Sequence, residues 1–154
     1  MSGFTTCLWF DTEAEDAAKY YTEIFPNSSI GAVTPYQAGE RTGQTLTVDF
    51  VLDGQKFIAL NGGPEFTFNE AISFQIPSAD QAEVDRYWET LTQEGEEGQC
   101  GWLKDRYGLS WQVVPDRLTE LMTQSDAAAA ARVTEALFGM KKIVIADLEA
   151  AAAA

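Results

Sequence analysis

The order of elements written into this chain occurs twice. A strand pattern over residues 4–10 leads to a helical stripe that starts from a cap at Asp11 or Thr12. Ala14, Ala17, Ala18, Tyr21, Ile24 and Phe25 carry that stripe to about residue 25. A strand over 29–36 follows, then a hairpin of 45–52 and 55–60 turning through Asp53-Gly54. The second pass has a strand over 71–76, a cap at Ser78-Ala79-Asp80 and a helix to about residue 93. An acidic loop over 94–99 then leads to a hairpin of 102–104 and 109–114 turning through Asp105-Arg106-Tyr107-Gly108. Two passes of strand, helix and hairpin predict a duplicated α+β architecture of two fused halves.

The remainder is helical in pattern. A short helix over 116–122 precedes an alanine-rich one capped by Ser125-Asp126, and residues 141–148 fit either strand or helix. The expected division is a first module over about 1–65, a second over about 66–115, and a helical extension over 116–154.

Composition bounds the function. The chain has 154 residues, 45 % of them hydrophobic, enough for a folded core. With 10 basic against 24 acidic side chains the formal charge is −14, which repels phosphate backbones and anionic lipid. Nucleic acid and membrane surfaces are therefore not expected partners, and the charge also serves solubility. Histidine is absent, which removes Ser-His-Asp and Cys-His catalysis and the commonest transition-metal ligand. Two cysteines, Cys7 and Cys100, are too few for a disulfide scaffold. With no apolar run of about 18 residues and no leader-like start, a cytoplasmic location is expected.

Strand parity separates two kinds of position. Leu46, Val48, Phe50, Ile58, Leu60, Ile72, Phe74, Ile76, Leu109, Trp111 and Val113 are assigned to a face packed under helices. The alternate positions hold Thr47, Asp49, Asn61, Ser73, Gln75, Ser110 and Gln112. Those polar side chains fit either the solvated face of an antiparallel sheet or the lining of a pocket. Short, uncharged groups tilt the reading toward a pocket.

Gln112 leads the ligand-binding candidates, as an amide that both donates and accepts; a solvated strand glutamine is the alternative. Gln75, Asn61, Ser73 and Ser110 follow. Trp102 is a candidate aromatic wall. Asp49 is the candidate carboxylate base, against the plainer reading of an exposed strand aspartate. Gly62-Gly63-Pro64 reads as a structural turn before an anion cradle.

Four segments, LWFDTEAEDAAKYYTEIFPNS, VDFVLDGQKFIALNGGP, DQAEVDRYWETL and EGQCGWLKDRYGLSWQVVP, with ALFGMKKI near the C-terminus, carry a resemblance to a known family. The chain resembles the PhnB-like family of the vicinal oxygen chelate superfamily, which also holds glyoxalase I, extradiol dioxygenases and bleomycin-resistance proteins. The resemblance implies two βαβββ modules forming a cupped mixed sheet, followed by C-terminal helices. It also implies a homodimer and a cleft for a small molecule. Metal-dependent relatives place His or Glu at positions that fall here near Thr6, Ala59 or Asn61, Ala71 and Gln112. Neutral or apolar residues at those places lead us to expect no metal and no cofactor.

Family members often carry the name 3-demethylubiquinone-9 3-methyltransferase. No glycine-rich methyl-donor loop follows the first strand here, so methyl transfer is disfavoured. A metal-independent small-molecule-binding or sequestering protein is the expectation. A divergent lyase- or oxygenase-type enzyme, using a carboxylate base or a weakly held metal, is the alternative.

Overall fold

The structure, a computed structural model, describes residues 3–154. The first two residues of the N-terminal stretch lie outside the described residues. The chain divides after Phe68 into two compact units.

The first unit runs β1 (Thr6–Phe10), α1 (Ala14–Ile24), β2 (Ser29–Pro35), β3 (Thr45–Leu52) and β4 (Gln55–Asn61). Its sheet has the order β1-β4-β3-β2, with β1 parallel to β4 and the remaining pairs antiparallel. Helix α1 packs against β3 and β4. Its fully buried Tyr21 stacks on Phe50 with ring centroids 6.3 Å apart, and Phe50 stacks on Phe57 at 5.3 Å. Such aromatic layers add to the burial of their own surface.

The first unit departs from expectation at the start of α1 and along β4. Helix α1 is not capped by Asp11 or Thr12: its N-cap is Glu13, which makes no side-chain capping bond. The Ala14 N–H is instead accepted by Asn61 Oδ1 at 2.8 Å, from the end of β4. A long-range acceptor thus replaces the local one, and no sequence window contains both partners.

Strand β4 shows the opposite parity from the one expected. Asp53 and Gly54 both take positive φ (46° and 78°), giving a two-residue turn that pairs Leu52 with Gln55. Directly paired residues share a face, so the buried face continues as Phe57, Ala59 and Asn61. Ile58 and Leu60, expected under the helix, stand with Asp49 and Thr47 on the other face.

The second unit repeats the plan. It runs β5 (Phe74–Ser78), α2 (Gln81–Thr92), β6 (Glu96–Glu97), β7 (Trp102–Lys104) and β8 (Ser110–Pro115). The sheet order β5-β8-β7-β6 matches the first, again with the outer first strand parallel to the last. Helix α2 opens with the expected cap: Asp80 Oδ1 accepts the Glu83 N–H at 2.9 Å, and Glu83 Oε2 accepts the Ala79 N–H at 2.6 Å.

Strand β5 starts and ends later than expected. Ile72 lies outside it and is 71 % exposed. The strand continues through Pro77 because β5 is the sheet edge, where a residue without an N–H costs no ladder bond. The acidic loop also gains the two-residue strand β6, paired with β7.

Three helices complete this unit: α3 (Asp116–Met122), α4 (Ala127–Phe138) and α5 (Ile145–Ala153). The ambiguous 141–148 stretch resolves into a turn and the start of α5. Leu118, Leu121, Val133, Leu137, Ile143 and Leu148 form one buried cluster. Gln81 ties this layer to α2, since its amide donates to Ile143 O at 3.0 Å and accepts the Ile145 N–H at 2.8 Å. At Cys100-Gly101, both with positive φ, the backbone N–H groups donate to Met140 O and Lys141 O.

Candidate functional site

The face of the second sheet turned away from the Ile76, Trp111 and Val113 core gathers most of the predicted site residues. Gln75 pairs with Gln112, and Gln112 with Trp102, in one row across β5, β8 and β7. The next row holds Ser110, Lys104 and Glu96, across β8, β7 and β6.

The first row is a hydrogen-bonded chain. Gln112 Nε2 donates to Ser73 Oγ at 2.8 Å, and Gln75 Nε2 donates to Gln112 Oε1 at 3.4 Å. The three polar residues therefore come together, with both ends of the Gln112 amide engaged by residues of β5 and the position just before it.

The second row lies in a cavity of about 530 Å³, whose walls include Trp102, Lys104, Ser110, Glu70, Glu96 and Glu97. Lys104 Nζ is ion-paired with Glu70. Hydrogen bonding to Lys104 holds the Glu70 carboxyl below the usual glutamate range, and the same bond raises the Lys104 ammonium. Glu97 is occupied from outside the cavity: Trp88 Nε1 donates to its Oε1 at 3.1 Å, and Lys141 Nζ lies 3.7 Å from its Oε2.

Ser110 is the unusual member. It is 1 % exposed, and its Oγ is the buried side-chain polar atom without a hydrogen-bond partner among the described residues. Burying a hydroxyl without a partner costs about 1–3 kcal/mol. An unsatisfied hydroxyl in a cavity wall is the kind of group a ligand completes.

The hairpin below this face is fixed by Asp105, 3 % exposed, at the turn. Its Oδ1 accepts the N–H groups of Tyr107 (2.8 Å) and Leu109 (3.1 Å), and its Oδ2 accepts Trp111 Nε1 at 2.9 Å. The turn sets the register that places Ser110 opposite Lys104.

Asn61 and Asp49 belong to the first unit. Asn61 is 8 % exposed, and its amide is engaged: Oδ1 caps α1, and Nδ2 donates to Thr45 O at 3.1 Å. It borders a hollow of about 310 Å³ shared with Asp11, Glu15, Asp16 and Arg41. Asp49 is exposed on β3, at a smaller hollow of about 260 Å³ with Lys56 and Ile58. Only Gly63 of the Gly62-Gly63 pair takes positive φ (102°). Gly62 is needed for space, since a Cβ there would lie 2.3 Å from the Trp9 ring.

Lys104, Glu70 and Glu96 escaped the sequence reading. A turn over 105–108 alone would pair Lys104 with Leu109. The structure takes Leu109 into the connection, so that Lys104 pairs with Ser110, and β6, expected as loop, adds Glu96. Glu70 reaches the cavity from a loop, and no periodicity marks it.

The positions that bear metal ligands in related folds offer a poor donor set here. Ala59 and Ala71 have no side-chain donor, and the amides of Asn61 and Gln112 are bonded within the protein. Among the described residues no group of three or more His, Cys, Asp or Glu side chains stands where it could hold a metal ion. The residues present do not fit the divalent centre of that fold class.

The paired βαβββ units, each with its first strand parallel to its last, define the glyoxalase/bleomycin-resistance-like fold. A genomically encoded fosfomycin resistance protein, FosX, from Listeria monocytogenes shares it with a TM-score of 0.53 at 15 % identity, over 78 % of this chain and 98 % of that one. A protein from Pseudomonas aeruginosa does so at 0.63 and 16 % identity, over 75 % and 98 %. The PhnB protein from Bacillus cereus is 30 % identical, with a TM-score of 0.67, covering 74 % of this chain and 99 % of that one. The family described as 3-demethylubiquinone-9 3-methyltransferase matches residues 2–114. The chain belongs to this PhnB-like family of the vicinal oxygen chelate superfamily. No curated protein matches the sequence.

Proposed function

We propose that the protein binds or sequesters a small molecule, without a metal, on the exposed face of its second sheet. The observation that carries this reading is Ser110: a buried, unpartnered hydroxyl in the wall of a cavity of about 530 Å³ that also has Trp102 as an aromatic wall. The Gln75–Gln112–Ser73 chain adjoins it and offers further amide groups at the edge of the same face.

The family name does not carry methyl transfer to this chain, and the fold likeness to a fosfomycin resistance protein supports a small-molecule ligand only as a class. An enzyme using Asp49 as base ranks second. That carboxylate is exposed beside Lys56, and the hollow it borders is half the size of the Ser110 cavity. A cytoplasmic homodimer is part of the proposal. Its supports are the free thiols of Cys7 and Cys100 and the seven residues of edge strand β2, exposed along their whole length. Among the described residues no helix is long and apolar enough to cross a membrane.

A thermal-shift screen of a small-molecule library against the wild type and S110A tests the binding reading. Hits that raise the wild-type Tm and act less on S110A support it. An absence of hits, or hits that raise the Tm of S110A and W102A as much as that of the wild type, overturns it.

A further inference from the structure

We infer that the ligand of the Ser110 cavity is a planar organic cation, an inference that rests on the small-molecule reading above and names its chemical class. The charges around the cavity do not balance. Three carboxylates, Glu70, Glu96 and Glu97, face one ammonium, Lys104. Glu70 is neutralised by its ion pair with Lys104, and Glu97 by Lys141 together with the Trp88 indole N–H. Glu96 remains. Its carboxylate is exposed and, among the described residues, makes no ion pair or side-chain hydrogen bond; it acts on Lys104 through space.

One uncompensated negative charge therefore stands in a wall of the same cavity as an unpartnered hydroxyl and an indole ring. A cation is the complement of the first, and a flat apolar body with delocalised charge is the complement of the third. Ser110 Oγ has less than 1 Å² of accessible surface, so it exchanges one hydrogen bond with a polar substituent only as its covering neighbours shift. Glu96 and Ser110 flank Lys104 in one row, so their backbones are two strand spacings apart, about 10 Å. That is the length of a three-ring aromatic system. Lys104 lies between them, and its ammonium is directed to Glu70, which spares a bound cation most of its repulsion. The net charge of −14 concentrates cations and disfavours anions around the whole chain, in the same direction as the local count.

The test is calorimetric titration of the full chain at neutral pH and low salt with three isosteres: 9-aminoacridine as cation, acridine as neutral form and acridine-9-carboxylate as anion. The expected order is cation over neutral by about tenfold or more, with no measurable binding of the anion. E96Q should abolish most of the preference for the cation and leave the affinity for acridine unchanged. E89Q, an exposed carboxylate on α2 outside the cavity, should change neither.

Equal affinity for cation and neutral form, with both weakened by S110A and W102A, would keep the small-molecule site and overturn the cation class. An equal loss in E89Q and E96Q would reduce the preference to net charge and overturn it too. Failure of all three probes to bind would also overturn the cation class, whereas the library screen against S110A decides the site itself. Circular dichroism melts of each variant separate lost binding from lost folding.

Discussion

The Asp105 Oδ2 atom accepts the indole N–H of Trp111 at 2.9 Å, and this bond joins the turn of the second hairpin to its core strand. The other oxygen of the same carboxylate holds the N–H groups of Tyr107 and Leu109. One buried side chain thus fixes both the shape of the turn and the face on which Trp111 is buried, and through the strand's alternation it sets where Ser110 stands.

Removing that carboxylate leaves three donors to find new partners. D105A should cost roughly 3 kcal/mol of unfolding free energy, because each orphaned buried donor carries a desolvation penalty. D105N should cost less, since its amide oxygen still accepts. Urea denaturation with near-ultraviolet dichroism of Trp111 measures both, and an unchanged midpoint for D105A would refute the role.

Asn61 was a ligand candidate in the sequence, and the structure gives its amide to helix α1. N61A should destabilise the first unit by about 1–2 kcal/mol, the range of a lost helix N-cap. Hydrogen exchange at the Ala14 amide should quicken with it. Normal protection at Ala14 in N61A would show that another acceptor serves the helix.

The Lys104–Glu70 pair should be visible by pH. Glu70 has a lowered pKa in the fold, so its contribution to stability is present above its ordinary pKa and is lost as pH falls through the lowered value. K104Q should move the Glu70 carboxyl up toward the ordinary glutamate range, as followed by carbon-13 NMR titration, with the backbone hydrogen bond keeping part of the lowering. Both groups are exposed, so the effect on global stability is small. A Glu70 titration identical in wild type and K104Q would contradict the pairing.

Gly101 takes φ 85°, and a Cβ there would meet Val113 O at 2.9 Å and Ile143 Cδ1 at 2.8 Å. G101A should therefore lose about 1–3 kcal/mol, from a strained backbone and a displaced core side chain. A G101A melting curve superimposable on wild type would remove that explanation for glycine in the 98–101 segment.

The sequence carried the architecture further than the site. Repetition of strand, helix and hairpin identified both sheets because period-two alternation and turn chemistry are local. The parity error in β4 arose because the turn at Asp53-Gly54 decides which alternate residues face α1, and Ile58 and Leu60 are apolar on the face away from the helix. The α1 cap was illegible for another reason, since Asn61 lies far along the chain from Ala14. At the site, Gln75, Gln112 and Ser73 were selected by residue type and do meet. The charged half of the cavity was missed because Glu70, Glu96 and Lys104 look like ordinary surface residues until register brings them around Ser110.

The most direct measurement is a crystal structure of the full chain grown with the strongest hit from the thermal-shift screen. Density for that molecule against the Trp102 ring, with a polar atom within hydrogen-bond reach of Ser110 Oγ, is the predicted result. A cavity filled by the protein's own side chains, with the compound absent or bound beside Asp49, would contradict the account.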